Sequence, residues 1–255
     1  MVEITRYFSD TTFIACLGIG FAAQMVGSSL GMAYSITCSS ILLTMGIPPA
    51  MTSATVHTSE VVNRLFSGLS HFRYGNVDTA IFRKLAFFGS LGAVLGAVLV
   101  TKIPVTMMRP LAAFVLLIMG IRVLFMGLGR FEIHRRNTQL APLGFIGGFV
   151  DVIGGGGWGP VVTSTLLIRG NMHHIVVGSI NFAKFFVALA ESAALIIMLK
   201  TVQWNIIAGL IGGGMLAAPL AAFSCRKIPR RAAMIMVGTL VCGLSTRTLF
   251  KALTQ

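Results

Sequence analysis

Acidic side chains are scarce in this sequence: seven Asp and Glu stand among 255 residues, against twenty Lys and Arg. Charged residues of both signs make up only 11% of the chain, where a soluble domain carries roughly 25%. An ordinary water-soluble fold is excluded. The four cysteines, Cys16, Cys38, Cys225 and Cys242, show no CxxC spacing, so small apolar packing is their expected role. His173 and His174 are adjacent but lack HExxH or any other ligand spacing, and no metal is expected. Gly154, Gly156 and Gly159 match GxGxxG, yet no strand precedes them and no acidic residue follows before Glu191, which removes a dinucleotide site. No nucleophile–base pair is legible, so neither catalysis nor a cofactor is expected. The formal charge of +13 comes from basic residues at the ends of apolar runs, with no continuous face interleaved with aromatics. Positive-inside topology accounts for it better than nucleic acid does.

Apolar runs are what remains, and they cover nearly the whole chain. With 55% hydrophobic residues and a mean hydropathy of +0.87, the sequence reads as an all-α polytopic membrane protein with the lipid bilayer as its solvent. Eight segments are expected, near 11–46, 50–71, 79–101, 105–127, 140–169, 174–199, 204–225 and 231–250. The N-terminal run continues past any plausible signal-peptide core and is read as retained. A tilted crossing needs roughly 17 to 25 residues, so the first and fifth segments are too long for one plain helix. Both are interrupted by glycine, at Gly27 and Gly31 in the first and at Gly154 to Gly157 in the fifth. Each Gly costs about 1 kcal/mol of helix propensity, so the helices should break there. Within a bilayer a broken backbone is tolerated only where protein buries it or where it lines a cavity.

The two halves align on each other. At an offset of 124, Gly20-Phe21 falls on Gly144-Phe145, Gly31 on Gly155, Tyr34 on Trp158 and Gly46 on Gly170. At an offset of 125, Lys102-Ile103-Pro104 falls on Lys227-Ile228-Pro229 and Arg122 on Arg247. One inserted residue near 196–201 reconciles the offsets. The expected organisation is a membrane repeat at 1–127, a basic linker at 128–139 and a second membrane repeat at 140–255. If the broken segments are re-entrant, the basic residues outside segments divide 11 to 5 between the two sides. The repeats are then inverted, with both termini outside. Paired, interrupted segments in two repeats point to a secondary transporter.

Ionisable groups within spans are costly and are functional candidates by default. Glu60 and Arg64 lie in the second segment of the first half, Lys184 and Glu191 in that of the second, and the repeat sets Glu60 against Lys184. Glu60 and Arg64 are also i,i+4 on one helix face, and a structural salt bridge is the plainer reading. Lys184 has no carboxylate at i±3 or i±4 on its own helix, which suits an anionic ligand. Thr55 and His57 lead into Glu60, and Ser179 and Asn181 precede Lys184. Asp151, just before the glycine block, either takes up a coupling proton or caps the half-helix that follows. Glu191 is expected to meet an exposed or partner group. Trp158 and Tyr34, matched in register beside the breaks, either line the cavity or pack. Gly92 with Gly96 and Gly144 with Gly148 are GxxxG pairs suited to close helix packing.

The segment GFIGGFVDVIGGGGWGPVVTSTLLIRG, followed by VVGSINFAKF, and its degenerate copy GFAAQMVGSSLGMAYSITCSSILLTMGIPPAMTSATVHTSE resemble the TauE/SafE sulfite-exporter family of membrane transporters. The first box departs from the pattern, with Ser28, Ser29, Met32 and Ala33 where more glycine is usual. The resemblance implies export of sulfite, organosulfonates or other small anions across a prokaryotic cell membrane. The candidate substrate-binding set is Lys184, Asn181, Ser179, Trp158, Gly156, Tyr34, Ser29, Thr55, His57 and Arg64. Asp151 and Glu60 are the candidate coupling groups, with protons as the coupling ion. An anion channel on the same frame, or a carrier for a small carboxylate, fits the same residues.

Overall fold

The computed structural model describes residues 10–30, 32–129, 138–168, 173–200, 202–224 and 229–254. Among the described residues are ten α-helices, one π-helical turn and no strand. The first half holds α1 (Asp10–Leu30), α2 (Tyr34–Thr44), α3 (Pro49–Arg73), α4 (Thr79–Lys102) and α5 (Val105–Gly127). The second holds α6 (Leu140–Gly154), the π turn (Gly159–Thr163), α7 (Ser164–Ile168), α8 (His173–Leu199), α9 (Trp204–Ser224) and α10 (Arg230–Thr254). Four helices carry stretches long and apolar enough to cross a membrane: Thr79–Lys102, Val105–Gly127, Ile175–Leu199 and Arg231–Thr254. Most of the basic linker expected at 128–139 lies outside the described residues.

Six of the eight expected segments are single helices, and the first and fifth are broken. Their breaks have different local causes. The α6 helix ends where Gly155 takes a left-handed conformation, φ +70, which glycine adopts without a side-chain clash. Pro160 then lacks an amide hydrogen, and the chain resumes as a π turn. In the first half Gly27 lies inside α1 and does not interrupt it; the turn falls after Leu30, with Ala33 at φ +94 ahead of α2. The α2 helix stops at a Schellman motif, in which the amide of Ile47 donates to the Leu42 carbonyl (3.2 Å) and that of Gly46 to the Leu43 carbonyl (3.1 Å).

Packing crosses between the halves. The α1 helix lies on α9 and α6 on α4, while α3 pairs with α8 and α5 with α10. Exchanging the halves carries the α1–α9 pairing onto α6–α4 and maps α3–α8 and α5–α10 each onto itself. Glycine permits close approach at matching places in the two halves. A Cβ at Gly20 would meet the Leu210 backbone, and one at Gly144 would meet that of Leu85, 125 residues earlier than Leu210. The expected GxxxG pairs face each other across α4 and α6: Gly92 abuts Phe145, Gly96 abuts Phe149, and Gly148 abuts Gly89.

Candidate functional site

The two breaks meet at the centre. Gly156 lies against the backbone of Ser35 and Ile36, and Gly159 against Met32. Carbonyls that the end of α6 leaves open are taken up by hydroxyls of the other half: Ser53 donates to the Val152 carbonyl (2.8 Å) and Ser39 to that of Gly155. On the far side of the break, Asp151 Oδ1 accepts the backbone N–H of Trp158 (2.9 Å). Asp151 is therefore a cap of the resuming chain, one of its two expected roles.

Its other oxygen belongs to a buried charge cluster. Lys184 Nζ donates to Asp151 Oδ2 and to Glu191 Oε2 (2.7 Å), and lies 3.5 Å from Glu60 Oε2 and 3.4 Å from His57 Nδ1. His57 Nδ1 is in turn 3.3 Å from Glu60 Oε2 and 3.1 Å from Glu191 Oε2. Ser35 donates to Glu60 Oε1 (2.9 Å), which also accepts from Arg64 Nη2 (3.0 Å). Arg64 completes its fork on Asn181 Oδ1 (2.5 Å). His57, Glu60, Asp151 and Glu191 are fully enclosed. Arg64, its side chain 16% exposed, is the edge of the cluster.

Lys184 is therefore not the unpaired cation expected from its own helix. Glu191 sits two turns along α8, at i+7, on nearly the same face, and Asp151 arrives from the second break. Glu191 is internal, contrary to the expectation of an exposed or partner contact. His57, Asp151 and Glu191 each offer one ligand atom within 4.8 Å of the others, the geometry of a cation site. Lys184 already places its ammonium on two of the three.

The other candidates divide. Gly156, Trp158, Lys184, Arg64 and Asn181 border one narrow cleft of about 10 Å³, and the Trp158 ring centroid lies 6.0 Å from Lys184 Nζ. Tyr34 borders a neighbouring cavity of about 130 Å³ with Gln24, Asn63 and His71, and Arg64 and Asn181 border it too. Tyr34 also lies 3.1 Å from Ser59 Oγ and donates to the Leu210 carbonyl (3.4 Å). Ser179 and Thr55 border neither space. The Ser179 hydroxyl accepts the Asp78 amide (2.8 Å), tying α8 to the turn before α4, and Thr55 donates back to carbonyls of its own helix. The Ser29, His173 and His174 side chains lie outside the described residues. Sequence reasoning left Ser35, Ser39 and Ser53 out of the site; only their place near the breaks could have signalled them.

The model of the sulfite exporter TauE/SafE family matches residues 16–248, a range that holds both breaks and the whole cluster. The chain belongs to the TauE/SafE family. The probable membrane transporter protein YtnM of Bacillus subtilis (strain 168) is 39% identical to it over 241 residues, covering 91% of this chain and 80% of the relative. No solved structure matches the chain. This TauE/SafE protein is a multi-pass membrane transporter, and its family points to transport rather than to an enzymatic reaction.

Proposed function

We propose that this TauE/SafE protein is a proton-coupled secondary carrier of a small sulfur-containing anion, sulfite or an organosulfonate. It works in the prokaryotic cell membrane by alternating exposure of the site where the breaks meet. The observation that carries the reading is the buried cluster's charge. Three carboxylates, Glu60, Asp151 and Glu191, face two permanent cations, Lys184 and Arg64. With His57 neutral the cluster holds one negative charge in excess. Adding an anion to a buried site of that sign is strongly unfavourable unless a proton enters with it. Protonation of one carboxylate restores neutrality and releases part of the hold on Lys184. Arg64 is the first contact, because it borders both spaces and its planar fork matches the oxygens of a sulfonate or sulfite. Asn181 holds that fork in place. Family and relative support transport; substrate and coupling are our reading of the charges.

The test is uptake of labelled sulfite and a panel of organosulfonates into proteoliposomes, with and without a pH gradient. Wild type should show saturable uptake of one panel member, driven by the gradient. Lys184→Ala and Arg64→Gln, each checked for a monodisperse folded state, should lose it. Folded wild-type protein that moves none of the panel would remove the assignment.

A further inference from the structure

A second polar space lies at the other end of α2. About 200 Å³ in volume, it is bordered by Thr44, Gly46, Arg109, Arg247, Thr248 and Lys251, three cations with no carboxylate among its lining residues. The chain has little acid to spare for it. Glu60, Asp151 and Glu191 are held in the cluster, and Asp78 caps α4 through the amides of Ala80 and Ile81. Among the described residues none of the three cations is in an ion pair. Arg109 Nη2 donates to the Gly46 carbonyl (2.6 Å), while its Nε is buried without a hydrogen-bond partner.

The α2 helix links this space to the breaks. Thr37, Ser40 and Thr44 fall within about 60° of one another around it, as positions i, i+3 and i+7 do. Tyr34, Cys38 and Leu42 point instead into the packing with α1 and α9. Thr44 Oγ1 lies 3.2 Å from Thr248 Oγ1 of α10. Both helices end at the cavity, so they run side by side in one direction, and Ser40 and Ser245 stand about one turn back. The hydroxyls of Thr37, Ser40 and Ser245 are all buried and all unpartnered. Buried hydroxyls are ordinarily hydrogen-bonded, because an unmade bond is costly.

The matching hydroxyls of the second half are not open. Ser164, 124 residues after Ser40, takes a hydrogen bond from Arg122 Nε (2.8 Å), and Arg122 Nη2 donates to Thr165 (2.9 Å). Arg122 is the counterpart of Arg247. The hydroxyls of the second half are taken by Arg122 of the first; those of the first half are open, and Arg247 of the second stands at the cavity instead.

We infer that the Arg109–Arg247–Lys251 cavity, with the hydroxyl stripe of α2, is a second binding site for a small oxyanion, the station at which cargo pauses at the far end of α2 from the breaks. Its role in transport rests on the carrier reading above. The site itself rests on the cavity, its unpaired cations and the open hydroxyls.

Equilibrium binding of labelled sulfite to purified protein in phosphatidylcholine nanodiscs tests it. Arg247 and Lys251 are exposed, so Arg247→Gln/Lys251→Gln should keep the wild-type unfolding midpoint. Sulfite bound per chain at saturation should fall from two to one in that variant. Ser40→Ala should weaken the affected site by about tenfold, the factor that corresponds to 1.4 kcal/mol. One sulfite per wild-type chain, lost in the double variant and kept in Lys184→Ala, would support the cavity site and remove the central carrier site. One sulfite lost in Lys184→Ala and kept in the double variant would overturn the inference and leave the carrier reading standing. No sulfite bound by wild type would overturn both. Displacement of the second sulfite when phosphatidylglycerol replaces phosphatidylcholine would assign the cavity to lipid headgroups and overturn its role as a station.

Discussion

The two helix breaks occupy matching places in the chain and are built from different residues. Where the second has Gly156 and Gly157, the first has Met32 and Ala33. The difference follows from their contact. Gly156 has the backbone of Ser35 and Ile36 at its face, and Gly159 has Met32, so the first break fills the space that the glycines of the second leave open. The departure of the first box from its family pattern is thus complementary to the second box. Charge divides in the same way. Asp151 stands in the last turn of α6, just ahead of the second break, while its counterpart ahead of the first is Gly27, inside α1. One break supplies shape and hydroxyls; the other supplies the carboxylate that holds Lys184.

Breaking that complementarity should be most damaging at Gly156. Gly156→Ala drives a Cβ into backbone that has no rotamer to change, and we expect a loss of about 3 kcal/mol, read as a lower unfolding midpoint in detergent. A midpoint within a degree of wild type would show that the breaks do not interlock. Asp151 gives a smaller, divided effect. Asp151→Ala removes the acceptor for the buried Trp158 amide and should cost about 2 kcal/mol. Asp151→Asn keeps an acceptor there and leaves Glu60 and Glu191 balanced against Lys184 and Arg64. Its amide nitrogen then meets the Lys184 ammonium, so it should unfold between Asp151→Ala and wild type, while its uptake stops responding to a pH gradient. Gradient-driven uptake in Asp151→Asn would move the coupling role to another carboxylate. The smallest effect is expected at Ala33, held at φ +94. Ala33→Gly relieves that strain and should raise the midpoint by the equivalent of about 0.5–1 kcal/mol. A lowered midpoint would mean that the Ala33 methyl packs against the second break more than its backbone conformation costs.

Much of the fold was legible because membrane helices announce themselves through unbroken apolar runs, and the glycine block after Asp151 through its composition. The facing GxxxG pairs were legible for the same reason, since small residues at i and i+4 have few uses in a bilayer other than close approach. Of the two glycines expected to interrupt the first segment, Gly27 does not, because one glycine on a packed helix face costs too little to end it; the helix runs on to Leu30, directly before Gly31. The site was legible only in part. Glu60 with Arg64 could be read from local spacing. The ring of carboxylates around Lys184 depends on how the second break lies against α8, and no local pattern records that. Ser179 and Asn181, two residues apart on one helix, looked equivalent; only the tertiary contact with Asp78 separates a structural hydroxyl from a group facing the cavity.

The pairing of α1 with α9 bears on how the chain is made. As α1 enters the bilayer, the surface against which Gly20 will close does not yet exist. It is synthesised with Trp204–Ser224, on the order of ten seconds or more later at ordinary rates of translation. Through that interval the face of α1 that carries Gly20 lacks the partner it has in the finished protein. The α1 helix of this transporter therefore reaches its final packing only once α9 has been made.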